Sequence, residues 1–207
     1  FINYLFSREW KNHQSQFKLD NILLMFLPDT YEVYWNISIK SLFQKMKNEY
    51  DFFWNDTRKT KAKKINLSEI EVGILASIVQ AETNHLDEAS NIAGVYINRL
   101  NEKMYLAADP TLVFAHNDFS IRRVLNIHKK INSPYNTYRN KGLPPGPINM
   151  PEKKFIDAVL NYNKHNYYFF CAKDDFSGYH VFAKNISEHN RNARKLHRAL
   201  NKRKIYR

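Results

Sequence analysis

The sequence predicts an α+β fold with helix in the majority, and three observations carry that reading. Apolar residues recur at helical spacing through several long stretches, while two short aromatic and β-branched runs near the C-terminal end bracket a turn-rich segment. Between them, five of the seven prolines crowd into residues 133–151, which marks an irregular but ordered loop. With 207 residues, 43% hydrophobic and 14% aromatic, the chain can bury a substantial core as one domain with a smaller piece appended.

Taken in order, the chain starts at Phe1 rather than methionine, so we expect an N-terminal portion, with any targeting signal, to precede it. The longest strongly apolar stretch, Ile22 to Leu27, is far below the roughly 18 residues of a membrane-spanning helix. Pro28-Asp29-Thr30 breaks the chain before Tyr31-Glu32-Val33-Tyr34, which predicts short strand or irregular structure over 23–34. Leu42, Phe43, Met46, Tyr50, Phe53 and Trp54 then predict an amphipathic helix over 38–54.

Four lysines within Lys59 to Lys64, without apolar periodicity, read as a solvated linker and a domain boundary near 60. Ser68 and Glu71 have the spacing of a capping box, so a helix follows over 69–83. Ala89, Ile92, Ala93, Tyr96 and Leu100 form the next helical stripe. Asp109-Pro110 reads as an N-cap followed by proline at the first helical position, and Pro151 starts another helix. Tyr167 to Cys171 and Tyr179 to Ala183 flank Asp174-Asp175-Phe176-Ser177-Gly178 as a β-hairpin, and Ser187 caps a terminal helix to about 201. No internal repeat is present.

A net charge of +12 favours a polyanionic partner: nucleic acid, an anionic membrane surface or an acidic wall polymer. No nucleic-acid recognition motif accompanies it, and the basic excess is split between separate segments, so no nucleic-acid partner is expected. The basic C-terminal run from Arg191 to Arg207 reads as a solvated face. A single cysteine, Cys171, rules out an internal disulfide and reads as an inert buried thiol. The eight histidines include no His-Glu-x-x-His pattern, so no metal and no cofactor are expected.

One residue stands out chemically. Leu75, Ile78, Val79 and Glu82 share a face of the 69–83 helix, which places a carboxyl group where the helix otherwise enters the core. Burial disfavours the ionised form, so Glu82 would hold a proton near neutral pH and have one to donate. The alternative is a frayed helix end, or a structural pairing with Arg99. Asp109 is the main candidate for a second carboxylate, although an N-cap role explains it as well. In the loop, Tyr135, Asn136 and Tyr138 combine amide and phenol groups suited to a sugar ring, or else anchor the loop. His85 reads as a surface residue.

At this point the chain resembles the YceG-like family of endolytic murein transglycosylases, over roughly residues 25 to 200. The signatures stand in order: Leu75-Ala76-Ser77-Ile78-Val79 leading to Glu82-Thr83, Asn98-Arg99-Leu100, Asp109-Pro110-Thr111, Tyr135-Asn136-Thr137-Tyr138, Gly142-Leu143-Pro144-Pro145-Gly146-Pro147-Ile148, His180-Val181-Phe182 and Glu188-His189-Asn190. Two positions depart from the pattern: Gln80, where many members carry an acid, and Ala107-Ala108, where a glutamine is common.

The resemblance implies a lysozyme-like catalytic domain over 61–207, preceded in 1–60 by the remainder of a small LysM-like α/β module and a linking helix. It implies a single-pass anchor in the bacterial cytoplasmic membrane, in the preceding part of the chain, with the catalytic domain on the periplasmic or cell-wall side. The substrate would be nascent peptidoglycan strands, cut between MurNAc and GlcNAc to leave 1,6-anhydro-MurNAc ends, with cell-wall synthases as candidate partners. Glu82 would be the catalytic residue, with Thr83, Asp109, Tyr135, Asn136, Tyr138, His180 and Asn190 on the substrate. A single carboxyl group suffices for such a reaction, because the muramyl C6 hydroxyl attacks its own ring and no water need be activated. A water-using hydrolase and a non-catalytic basic glycan- or nucleic-acid-binding protein are the competing readings.

Overall fold

A computed structural model of the protein describes residues 16–121 and 123–203. Among these residues the order is a 3-10 turn at Ile22–Met25, α1 (Ile39–Phe53), α2 (Asp56–Lys64), α3 (Glu69–Glu82), α4 (Leu86–Asn101), α5 (Asp109–His116), a 3-10 turn at His128–Lys130, α6 (Lys153–Leu160), β1 (Phe169–Ala172), β2 (His180–Ala183) and α7 (Ile186–Lys202). The strands pair antiparallel, Phe169 with Ala183 through Ala172 with His180. The fold is thus α+β and mainly helical.

Helix α3 sits at the centre. Its start is fixed by the capping box, in which Ser68 Oγ accepts from the Glu71 amide while the Glu71 carboxylate accepts from the Ser68 amide. From Val72 to Val79 every residue is buried, as befits a helix packed against α4, α5 and α6 at once. Ser77 is the polar member of that run; it donates to Ile74 O, and its own Oγ accepts from the Ile148 amide. Helix α3 ends as Thr83 turns to extended backbone, which leaves Glu82 on the last turn.

Several local expectations are corrected. Residues 59–64 are not a linker but part of α2, whose start is capped by Asn55. That helix is held by Ala62 in the core and by the Arg58 guanidinium, which donates to both Asp157 oxygens at 2.8 and 2.9 Å. Over 23–34 the irregular alternative holds: the 3-10 turn at Ile22–Met25 is followed by chain without regular structure, and no strand forms. Ala108, not Asp109, is the N-cap of α5, so Asp109 is its first residue and makes no capping bond. Helix α6 begins at Lys153 after Glu152, and α7 is capped by Asn185, whose Oδ1 accepts from the Glu188 amide, rather than by Ser187. Residues 1–15 of the module expected over 1–60 lie outside the described residues; Phe17, Ile22, Leu24, Met25 and Leu27 pack into the same core as α3.

The 133–151 loop is ordered without regular structure, and its interior explains why. Asn136 is fully buried, donating to Lys129 O and Ile131 O and accepting from the Tyr138 amide. Thr137 Oγ1 accepts from the Ala108 amide, which pins the loop to the start of α5. Gly146 is pressed against the chain at Asp20, where a Cβ would lie 1.8 Å from a backbone oxygen. Gly146→Ala must therefore push two backbones apart, and we expect a loss of at least about 2 kcal/mol in chemical denaturation. An unchanged denaturation midpoint would show that the two segments do not touch in this way.

Candidate active site

Glu82 is only partly exposed, and its Oε1 accepts a short hydrogen bond from the Tyr96 hydroxyl of the adjacent helix α4. Tyr96 itself is buried, on the apolar stripe of α4. One turn further on, Arg99 is buried too, at 9% exposure. Its guanidinium does not pair with Glu82, as the structural alternative required. It donates instead to the carbonyls of Tyr168, Tyr105 and Leu106. Asp109 lines the same cavities as Glu82, and its Oδ1 accepts from the Tyr138 hydroxyl at 2.5 Å. The Lys129 ammonium lies 4.5 Å from the centre of the Tyr138 ring, within cation–π range.

These groups stand at the junction of two cavities, since Glu82 and Asp109 line both. One, of about 460 Å³, is mainly apolar, walled by Val113, Phe114, Phe119, Ile121, Val124 and Ile148, with Asn149 as a polar edge. The other, of about 600 Å³, runs beneath the hairpin and α7 and is lined by Tyr96, Arg99, Lys129, Tyr138, His180 and His189 among others. Among the described residues, no group of three or more His, Cys, Asp or Glu side chains is placed to hold a metal.

Of the residues expected from sequence, Glu82, Asp109, Tyr138 and His180 come together along these cavities. Thr83 is buried behind them, donating to Glu88 Oε1 and accepting from the His85 amide. Asn136 is corrected to a loop anchor, because its amide is spent on backbone groups inside the fold. Tyr135 lines neither cavity; its ring packs 4.7 Å from that of Phe114 and so backs the apolar wall. Asn190 is exposed and lines neither cavity, whereas His189, one helical step away, lines the larger one. His85 is half-buried and stacks on Tyr179 at 3.8 Å, joining the hairpin tip to α4. Cys171 is half-buried in the cavity wall, and desolvation raises its thiol pKa.

The sequence reading missed Tyr96, Lys129, His189 and Glu88. Tyr96 shared its stripe with core residues, and only its hydroxyl distinguishes it. Glu88 lies in the first turn of α4, where an acidic residue is common and gives no functional signal. It is in fact 5% exposed and accepts from Thr83 Oγ1 at 2.7 Å and from the His180 amide at 3.0 Å, with His180 Nδ1 2.8 Å away. That carboxylate ties the start of β2 to α4 and sets the His180 ring in the cavity wall.

The chain is similar to known proteins. The profile of the YceG-like family matches residues 3–195. The endolytic murein transglycosylase of Bacillus subtilis is 39% identical over 139 residues, which cover 66% of this chain and 37% of that protein. The endolytic murein transglycosylase of Streptococcus pneumoniae strain R6 is 31% identical over 189 residues, covering 88% of this chain and 33% of that one. The chain thus spans little more than a third of the length of these curated relatives. The crystal structure of a YceG-like protein from Listeria monocytogenes superposes with a TM-score of 0.71 at 29% identity, over 81% of this chain and 54% of its own.

Burial is the main cause that moves the Glu82 carboxyl pKa, pushing it up to about 7. The Tyr96 hydrogen bond opposes burial, the Asp109 charge reinforces it, and the Arg99 charge opposes it again. Because the folded value lies above the ordinary 4.5, this group's favourable contribution to stability is full below about 4.5 and is lost as pH rises through 7. The difference amounts to about 3 kcal/mol at most. Glu82→Gln keeps the shape and removes the titration, so denaturation at pH 5 and pH 8 should show the variant gaining on the wild type by up to that amount at the higher pH. Parallel pH dependence of the two proteins would mean that Glu82 is an ordinary solvated carboxylate.

Proposed function

Given that the chain belongs to the YceG-like family, we propose that it is the catalytic part of an endolytic lytic transglycosylase that cuts nascent peptidoglycan strands between MurNAc and GlcNAc. The observation that carries the reading is a carboxyl group at the border shared by two cavities, with its pKa pushed by burial up to about 7. Protonated Glu82 gives its proton to the bridging oxygen as the anomeric carbon develops oxocarbenium character. The resulting carboxylate takes the proton of the muramyl C6 hydroxyl, whose oxygen closes on the anomeric carbon. Atoms balance without water, and the product is a 1,6-anhydro-muramyl end.

Each neighbour has a part in this cycle. Tyr96 donates to the carboxylate that remains after proton transfer, and Arg99 lends positive potential without binding the charge outright. Tyr138 and Asp109 border the scissile position as polar groups for sugar hydroxyls, and His180 extends that set along the larger cavity. No helix among the described residues is long and apolar enough to cross a membrane. A single-pass membrane anchor ahead of this part, a module over residues 1–60 joined to a catalytic domain over 61–207, and action beside wall synthases at the cell-wall face of the membrane belong to the same reading. The greater length of the relatives leaves room for the anchor.

Digestion of purified peptidoglycan tests the proposal. The wild type is expected to leave anhydro ends, lighter than reducing ends by about 18 mass units, the mass of one water. Glu82→Gln should slow cleavage by about 1,000-fold or more. Only reducing ends would indicate a hydrolase, and equal rates would remove Glu82 from the chemistry. Since the acid must be protonated, kcat/KM should fall above about pH 7. Tyr96→Phe removes a hydrogen bond that favours the ionised form, so its alkaline limb should move to higher pH; a shift to lower pH would contradict the assignment.

A further inference from the structure

The larger cavity differs from its neighbour in charge. Apart from Glu82 and Asp109 at the shared border, no acidic side chain among the described residues lines it, whereas the cations Arg99 and Lys129 do; His180, whose Nδ1 faces Glu88, and His189, whose pKa burial and Arg99 lower, line it as polar imidazoles. The described lining of the smaller cavity contains no basic side chain. Arg99 is the more telling of the cations. A guanidinium at 9% exposure ordinarily finds a carboxylate, because an uncompensated charge is costly to bury. Here its three hydrogen bonds all go to carbonyls, and it forms no ion pair among the described residues.

Lys129 adds a more accessible charge. It lies on the 3-10 turn of residues 128–130, is half-buried, and rests over the Tyr138 ring with no ion pair among the described residues. A ring face steadies an ammonium without neutralising it, so its field reaches into the cavity. His189 contributes a buried Nδ1 with no hydrogen-bond partner. These groups come from α4, the 3-10 turn, the hairpin and α7, so four separate elements converge on one space.

We propose that this cavity is a subsite for a carboxylate carried by the muramyl residue of the strand, with Lys129 as its direct contact and Arg99 supplying the surrounding positive potential. The proposal rests on the glycan reading above and adds a direction to it. Every muramyl residue bears a lactyl group and every N-acetylglucosamine lacks one. The strand would therefore run with its muramyl ring on the hairpin side of Glu82 and its neutral leaving sugar on the apolar side. The carboxylate has two possible sources, the lactyl group itself or the stem peptide joined to it.

Binding of soluble GlcNAc–MurNAc, which lacks the scissile MurNAc–GlcNAc bond, separates these possibilities without turnover. Three forms would be titrated calorimetrically: the disaccharide with its acidic stem peptide, the peptide-free disaccharide with a free lactyl carboxylate, and the latter with that carboxylate amidated. The wild type is expected to bind at least one acidic form about tenfold more tightly than the amidated form, and which one identifies the source. Lys129→Ala should lose that preference and Lys129→Arg should keep most of it. Raising the salt concentration should weaken the acidic forms selectively. Equal affinity of the wild type for all three forms, or an undiminished preference in Lys129→Ala, would overturn the subsite. Anhydro ends are read in the separate digestion, so failure here would leave the transglycosylase reading standing, and failure there would leave this binding result intact.

Discussion

A carboxyl group sheltered at the C-terminal end of a buried helix, with no ion pair among the described residues to neutralise it, is the constraint around which the rest of the site is arranged. The end of α3 already disfavours a negative charge, because the last carbonyls of a helix present the negative end of its dipole. Burial adds to that effect, and Asp109 adds a further unfavourable charge. Against these act one phenol and one guanidinium, the latter committed to carbonyls of other segments. A direct Arg99–Glu82 ion pair would have held the group ionised and unable to donate. With the guanidinium restrained, the balance falls near neutrality.

The same restraint builds the walls. Arg99 fastens the carbonyls of Tyr105 and Leu106 while Thr137 receives the amide of Ala108 and supplies its carbonyl to the amide of Ala107. The segment before α5 is thereby gripped on both sides, and Ala107 is held at a φ of 49°, a conformation that side chains other than glycine rarely adopt. Asp109 follows directly, with its carboxylate left for Tyr138 rather than for capping. Across the site, Glu88 performs the corresponding task for the hairpin through Thr83 and His180. The proline-rich loop is fixed by Ser77 and Gln80, whose Oε1 accepts from the Glu152 amide at 2.7 Å. Gln80 thus serves here as a loop fastener.

Much of this was legible in the sequence, for reasons that differ by element. The capping box at Ser68, the hairpin runs and the Glu82 position are encoded locally, in spacing and residue type, and each reads without tertiary information. The lysine-rich helix α2 was not legible, because its order comes from Arg58 meeting Asp157 across 99 positions of chain. Asp109 was ambiguous for a related reason: a cap and a cleft residue look alike until Tyr138 is brought to it. Asn136 and Asn190 show the limit of motifs. A motif records that a residue is needed, and only packing shows whether its side chain faces a ligand or holds the backbone.

The chemistry turns on one proton, and titration of the Glu82 carboxyl itself follows it. Carbon-13 NMR of the side-chain carboxyl, assigned by its absence in Glu82→Gln, would follow that group alone across the pH range. A midpoint near 7 is expected. A midpoint at the ordinary value near 4.5 would mean that Glu82 is ionised in the resting protein, and the arrangement described around it would have to serve another purpose.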